Sequence, residues 1–216
     1  MPRASRKAGP GRPAEFDRRT ICEEAARIMI DHGISDYGFA KKKAVQRLGM
    51  SPRRTDLPSN KELTDAVRVR LRLFDGDRSN DRYRTRLERA VEIMELLREF
   101  RPRLVGPLLE GIATAHGAVE LHLFCDAPEQ VMARLQGMRL PHRPYDKRVR
   151  FPLDRYEQVP GFAFEWKSSQ FDALVFKYDR IREAPLCPVE GRPMRRASAE
   201  RVLEMRREIA ESTGAA

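Results

Sequence analysis

The segment that most constrains the fold lies near the middle of the chain, between residues 104 and 126. It begins with a short apolar run and passes through a glycine-bounded turn that can hold a short helix. Alternation over residues 119–125 then predicts a β-strand, since successive side chains of a strand point to opposite faces. One face would carry Val119, Leu121, Leu123 and Cys125, and the other Glu120, His122 and Phe124. A carboxylate and an imidazole would therefore face the same way just after the turn, where they could meet a metal or a phosphate.

The N-terminal side of this segment shows helical periodicity and helix end signals. Ser59 and Glu62 have the spacing of a capping box, which predicts a helix start at that point. Gly33 and Gly49 are suited to end the two preceding helices. We predict helices over residues 15–32, 35–48, 59–74 and about 82–100, with 75–81 as a loop. Residues 14–103 are therefore expected to form a helical bundle.

The C-terminal side mixes strand and helix patterns. Residues 162–177 predict a β-hairpin, because two apolar runs flank the polar residues 167–170. A strand is predicted at 147–151, with helices at 128–138 and about 199–211. The sequence thus predicts an α+β protein in which the helical bundle precedes a 104–216 domain with a mixed sheet and a C-terminal helix.

The charge of the chain is positive and unevenly distributed. The formal net charge is +10, and residues 1–103 hold 25 Lys and Arg against 16 Asp and Glu. Residues 104–216 are nearly neutral, with 17 against 16. Because residues 1–13 have four basic and no acidic residues, they are expected to form a disordered basic tail. The surplus favours RNA or DNA as a partner, with a solvated arginine-rich surface as the alternative.

The composition argues against several classes of protein. No apolar run approaches membrane-spanning length, so we expect no membrane partner and a cytoplasmic location. The three cysteines are far apart and odd in number, which fits neither a disulfide framework nor a zinc module.

Two segments of the sequence together resemble a known protein family. The glycine turn, short helix and strand of residues 104–126 and the segment 187–196 (CPVEGRPMRR) resemble the polymerase-beta-type nucleotidyltransferase superfamily. They resemble most a group of small proteobacterial nucleotidyltransferase-like proteins. The resemblance implies a minimal nucleotidyltransferase-like α/β domain that transfers a nucleoside monophosphate from an NTP to an unknown acceptor. In such enzymes the turn holds the triphosphate, and strand carboxylates hold Mg²⁺.

The resemblance also implies roles for particular residues. Glu120 and Asp172 would be the catalytic carboxylates, with Glu165 as the alternative to Asp172. The implied metal ligands are Glu120, Asp172 and His122. The implied nucleotide-binding residues are Gly106, Leu108, Arg192, Arg195 and Arg196.

The sequence departs from the family pattern at the turn and at the first carboxylate. Pro107 stands where the family has a serine and has no N–H to offer a phosphate. Ala118 stands at the first carboxylate position, and His122 is a poor ligand for Mg²⁺. We therefore expect weak Mg²⁺ binding and an activity that is reduced or lost.

Two other functions stay open. One is a non-catalytic nucleotide- or nucleic-acid-binding protein of the same fold. The other is a DNA-binding regulator, because residues 25–33 and 49–51 resemble the first helices of tetracycline-repressor-type regulators. A recognition helix would have to follow Ser51 directly, and the polar, proline-bounded segment 53–60 leaves little room for it.

Overall fold

The computed structural model describes residues 14–50 and 57–214. The predicted tail 1–13, and the place directly after Ser51 where a recognition helix would begin, lie outside the described residues. The helices are α1 (Ala14–His32), α2 (Tyr37–Arg47), α3 (Asn60–Phe74), α4 (Gly76–Leu96), α5 (Gly106–Leu109), α6 (Pro128–Gly137) and α7 (Ala199–Gly214). The strands are β1 (Arg103–Val105), β2 (Val119–Phe124), β3 (His142–Arg150), β4 (Tyr156–Trp166) and β5 (Ser169–Phe176). Short 3₁₀ helices occupy Arg98–Phe100 and Tyr178–Arg182.

The strands form one mixed sheet in the order β1-β2-β5-β4-β3. Only the central pair β2–β5 is parallel, and the other pairs are antiparallel. The β4–β5 hairpin, the mixed sheet, the N-terminal helices and the C-terminal helix confirm the predicted α+β architecture.

One face of the sheet is buried under helices. Side chains at alternate positions of the central strands pack against α4, α6 and α7 to form the main core. Leu121 and Ala173, which are register partners, are both fully buried there. The core residues of α4 and α7 include Leu87, Ile93, Met94 and Val202. The opposite face carries Glu120 and Asp172 beside a smaller apolar cluster that includes Phe124, Leu174 and Phe176.

The first three helices have a separate core. Ile21, Ala25 and Ile28 of α1 are fully buried against α2 and α3, and Leu63 of α3 is fully buried among them. The amphipathic periodicity read from the sequence therefore gives the correct inward faces except at Phe74, the last residue of α3, which was expected inward and is 73% exposed. Helix α4, by contrast, packs mainly on the sheet core and against α7 rather than within this cluster.

The capping box at the start of α3 is confirmed. The Glu62 amide donates to the Ser59 hydroxyl at 3.1 Å, and the Ser59 amide donates to the Glu62 carboxylate at 2.6 Å. Arg18 of α1 also donates to this carboxylate, so the cap ties α1 to α3. Hydrogen bonds from Arg18 and then from Ser59 lower the pKa of Glu62 to about 2.

Replacing the capping serine is expected to weaken the helical part of the protein. Ser59→Ala removes the acceptor for the Glu62 amide, which should lower the free energy of unfolding by about 1 kcal/mol. Urea unfolding followed by circular dichroism measures this change. The control is Ser79→Ala in the first turn of α4, since the start of that helix has no side-chain capping hydrogen bond. Equal losses in the two variants would contradict the role of the cap.

Two predicted boundaries were wrong. Residues 76–81, predicted as a loop, form the first turns of α4, which begins directly after α3. Asp75 joins the two helices, because its carboxylate pairs with Arg82 and its carbonyl accepts from the Ser79 amide. The strand predicted at 147–151 instead spans His142–Arg150, because it pairs with β4 along that whole length. Within residues 14–50 and 57–214, no helix has the length and apolar character needed to cross a membrane.

Candidate functional site

Glu120 and Asp172 lie side by side on one face of the sheet. They are register partners in the parallel pair β2–β5, so their side chains leave adjacent strands on the same side. We call this the carboxylate face. A small cavity lies at this face, and Tyr145 and Lys147 of β3 border it together with the two carboxylates. The sequence placed the two carboxylates on separate strands, and the sheet brings them together.

Gly106 provides the space that the Glu120 carboxylate occupies. The glycine follows β1 directly, and its neighbour Val105 is the register partner of Glu120. Its φ of +74° is in the left-handed region, which glycine adopts without strain. A Cβ atom at this position would lie 2.7 Å from Oε2 and 2.8 Å from Cδ of Glu120. The absence of a side chain at Gly106 therefore leaves the room in which the Glu120 carboxylate lies.

The cavity between these groups has a volume of about 10 Å³, which is the room needed by one water molecule or ion. The Tyr145 hydroxyl is buried beside it and makes no well-formed hydrogen bond within the described residues. Burial, followed by the negative charges of Asp172 and Glu120, raises the pKa of Tyr145. Lys147 forms no ion pair within 4 Å in the described part of the chain. The carboxylate face therefore gathers two acids, one phenol and one cation around the cavity.

Burial raises the pKa of Glu120. The positive charge of Lys147 opposes this shift, and the negative charge of Asp172 adds to it. Folding therefore disfavours the ionised form of Glu120 relative to its protonated form. A bound cation would remove that penalty by pairing with both carboxylates.

The raised pKa predicts a pH-dependent effect of Glu120→Gln. The protonated form of Glu120 contributes stability below the unfolded pKa of about 4.3, and this contribution is lost as the pH rises through the higher folded pKa. Glutamine does not titrate, so the variant is expected to be more stable than the original protein at neutral pH. The advantage should disappear below about pH 4. Thermal unfolding between these pH values measures it, and a variant less stable at pH 7 would contradict the assignment.

His122 also lies on the carboxylate face, but its ring is hydrogen-bonded to Arg196. Its ring is 2% exposed, and its Nδ1 accepts a hydrogen bond from Nε of Arg196 at 3.0 Å. This bond places the ring proton on Nε2, and burial, Arg196 and Lys147 lower the pKa of the imidazole. In this arrangement the ring has no free lone pair for a metal, so ligation by His122 would require Arg196 to move.

The residues predicted to bind nucleotide are distributed over four places. Gly106 borders the carboxylate face, while the Leu108 side chain is 2% exposed in the main core. Arg192 is exposed in the turn after Cys187, where its carbonyl accepts from the Cys187 amide. Arg195 pairs with Glu110 at 3.2 Å. The alternative carboxylate, Glu165, is exposed on the same sheet face as Asp172 and accepts from Gln170 at 2.6 Å.

Arg195 and Arg196 border a second, larger space that the sequence did not indicate. Residues 195–198 run beside β1, because Leu104 and Ala197 exchange two backbone hydrogen bonds. Between this segment, α4 and α7 lies a cavity of about 480 Å³ that we call the arginine groove. Its arginines are Arg103, Arg195, Arg196 and Arg201. Residues 104–216 are nearly neutral in total. The grouping of these arginines is therefore visible only in the folded structure.

The family resemblance implies a divalent cation, and the carboxylate face fits one such ion. Mg²⁺ is commonly held by one or two carboxylates, with water and substrate phosphates completing its shell. Glu120 and Asp172 supply two carboxylates at a water-sized cavity, and the desolvated Glu120 would gain from a cation. In the part of the chain that the structure describes, no group of three or more His, Cys, Asp or Glu could hold a metal. An ion at this cavity would therefore have two carboxylates, Glu120 and Asp172, as its protein ligands.

Comparisons with protein-family models, with curated proteins and with solved structures each returned no match. The resemblance to nucleotidyltransferases therefore rests on the two sequence segments that carry it.

Proposed function

We propose that this protein is a nucleotidyltransferase-like enzyme of low efficiency. It would bind an NTP at the carboxylate face and transfer the nucleoside monophosphate to an acceptor in the cytoplasm, with pyrophosphate as the leaving group. Glu120 and Asp172 would hold one Mg²⁺ ion, which when bound neutralises phosphate charge. The observation that carries the proposal is the register pairing of these two carboxylates on one face of the sheet.

Neighbouring residues support an anionic substrate at this place. Lys147 has no ion-pair partner among the described residues and borders the same cavity, so it can meet a phosphate oxygen. The Tyr145 hydroxyl, whose raised pKa keeps it protonated, lies buried beside the cavity that would hold the ion. Gly106, which has no side chain, leaves the space in which the Glu120 carboxylate lies.

The site also lacks two groups that rapid nucleotidyl transfer would need. Pro107 cannot donate a backbone hydrogen bond, and Ala118 supplies no carboxylate. Losing one metal-binding carboxylate is expected to remove several kcal/mol of transition-state stabilisation, or about a thousandfold in rate. Activity should therefore be sought with long incubations and with Mn²⁺ as well as Mg²⁺.

The charge of the N-terminal half gives weaker support for a nucleic-acid partner. Many basic side chains of α1–α3 are neutralised by neighbouring carboxylates. Binding of RNA or DNA stays a prediction from net charge.

A labelling experiment tests the proposed transfer. The protein is incubated with each α-³²P-labelled NTP, Mg²⁺ or Mn²⁺, and total RNA or cell protein, and transferred label is separated by gel electrophoresis. We expect label that requires the divalent cation and is absent with Asp172→Asn. Label that persists in Asp172→Asn would show a contaminating enzyme, and no label with any NTP would contradict the proposed transfer.

A further inference from the structure

The two edges of the sheet differ in how far they are covered. At the β1 edge, Leu104 exchanges two backbone hydrogen bonds with Ala197. At the β3 edge there is a single such contact, in which the Leu186 amide donates to the Arg150 carbonyl at 2.7 Å. Among the described residues, β3 has β4 as its only strand partner. The outer edge of β3 is therefore open along most of its nine residues.

The register of the β3–β4 pair shows which backbone groups point outward. The Phe151 amide donates to the Arg155 carbonyl, so these residues form a hydrogen-bonded pair where the two strands meet. Such pairs alternate along an antiparallel ladder, and the constant register therefore gives the bonds with β4 to the odd-numbered residues of β3. The peptide groups of the even-numbered residues face away from β4, as the contact between Arg150 and Leu186 shows. In the described part of the chain, outward groups without a backbone partner belong to His142, Pro144, Asp146 and Arg148.

The side chains of this edge carry a surplus of positive charge. β3 has four Lys and Arg residues, with Asp146 as its only acid. Arg150 pairs with Asp154, and Lys147 lies beside the carboxylates of the small cavity. The other two, Arg143 and Arg148, lie over tyrosine rings and have no carboxylate within 4 Å in residues 14–50 and 57–214. Both are exposed, so they can meet charges on an incoming chain.

The same charges argue against self-association at this edge. A second copy that paired along β3 would bring its arginines close to those of the first, and like charges on facing strands are destabilising. Pro144 also offers no N–H, which interrupts the ladder that two copies could form. The amides of Asp146 and Arg148 remain available to a chain of opposite charge.

We propose that β3 binds an acidic, extended segment of a partner protein, which adds to the sheet as a sixth strand. Main-chain hydrogen bonds to the outward peptide groups hold the segment, and charged side chains select it. Arg143 and Arg148 lie on opposite faces of the strand, so the segment needs Asp or Glu on both of its faces. This interface goes beyond the proposed transfer, because it uses the outer edge of β3 and neither Glu120 nor Asp172.

Fluorescence anisotropy with a labelled peptide tests the charge requirement. The probe is an extended peptide of about ten residues built from Glu, Val and Thr, and its control has Lys in place of Glu. We expect the acidic peptide to bind at least about tenfold more tightly than the basic one, because it pairs with Arg143 and Arg148. Failure of the acidic peptide to bind, or equal binding of the two peptides, would overturn the proposal.

The variant Asp146→Pro tests the backbone pairing. It removes an outward N–H that makes no bond with β4, so the strand should tolerate it as it tolerates Pro144. We expect binding of the acidic peptide to weaken about fivefold or more. The matched control is Asp146→Ala, which loses the same carboxylate, keeps the N–H and should bind at least as tightly as the original protein. Equal affinities of the two variants would contradict strand addition.

Amide hydrogen exchange followed by NMR locates the bound peptide. The amides of Asp146 and Arg148 should exchange rapidly in the free protein and slowly in the complex, whereas those of Lys147 and Val149, which bond to β4, should be slow in both. If Asp146→Pro fails to fold, a peptide N-methylated at alternate residues replaces it and should bind about fivefold more weakly than the unmethylated peptide. Unchanged exchange at Asp146 and Arg148, tighter binding of oligo-dT than of the acidic peptide, or pairing of two copies through β3 would overturn the proposal.

Discussion

Asp172→Asn is expected to abolish metal-dependent transfer, with a loss of about a thousandfold or more. Asparagine keeps the shape of the side chain but removes the charge that faces Glu120 across β2–β5. A hard cation would then have a single charged ligand at this cavity. The rate of label transfer at saturating NTP and Mn²⁺ measures the effect, and the cation-dependent part of NTP binding should disappear with it.

Glu165→Gln is the matched control for this variant. Glu165 lies on the same face of the sheet, but it is exposed and interacts with Gln170 near the hairpin turn. Its substitution should leave transfer and NTP binding unchanged. If Glu165→Gln loses as much activity as Asp172→Asn, the carboxylate pair has been assigned wrongly.

Gly106→Ala is expected to damage both the fold and the site. The new Cβ atom would lie 2.7 Å from Oε2 of Glu120, so the carboxylate must move away from its place beside the backbone. The left-handed φ of +74° adds a cost of about 1–2 kcal/mol. Displacing the carboxylate should cost roughly another 1–3 kcal/mol, as overpacking does in cores. Urea unfolding measures the stability, and Mn²⁺ titration measures the damage to the site.

Gly111→Ala separates these two effects. Gly111 has a φ of +77°, yet a Cβ atom there would have no neighbour within 4 Å. This variant should show the backbone cost alone and should keep its affinity for Mn²⁺. Identical unfolding curves and identical Mn²⁺ binding for the two variants would contradict the contact between Gly106 and Glu120.

Local signals predicted much of the fold. The capping box of Ser59 and Glu62 involves residues three apart, so it can be read from sequence. The alternation in residues 119–125 places Val119, Leu121 and Leu123 inward as predicted. It did not show that His122 and Phe124 on the other face are also buried, because that depends on Arg196 and on the aromatic rings of distant segments.

Pairings between residues that are far apart in the chain could not be predicted from the sequence. Glu120 and Asp172 are far apart in the chain, and a shift of one residue in the β2–β5 register would place them on opposite faces. The arginine groove likewise depends on Leu104 pairing with Ala197, which brings residues 195–198 beside β1. The composition of residues 75–81 favoured a loop, whereas the ion pair of Asp75 with Arg82 supports the start of α4.

Titration of the protein with Mn²⁺, followed by electron paramagnetic resonance, tests the central claim most directly. We predict one Mn²⁺ site per chain with a dissociation constant in the millimolar range, open to competition by Mg²⁺. Its affinity should rise with pH as Glu120 loses its proton, and it should be lost in the Glu120→Gln/Asp172→Asn double variant. Mn²⁺ binding that survives removal of both carboxylates would contradict the claim that this pair forms a cation site.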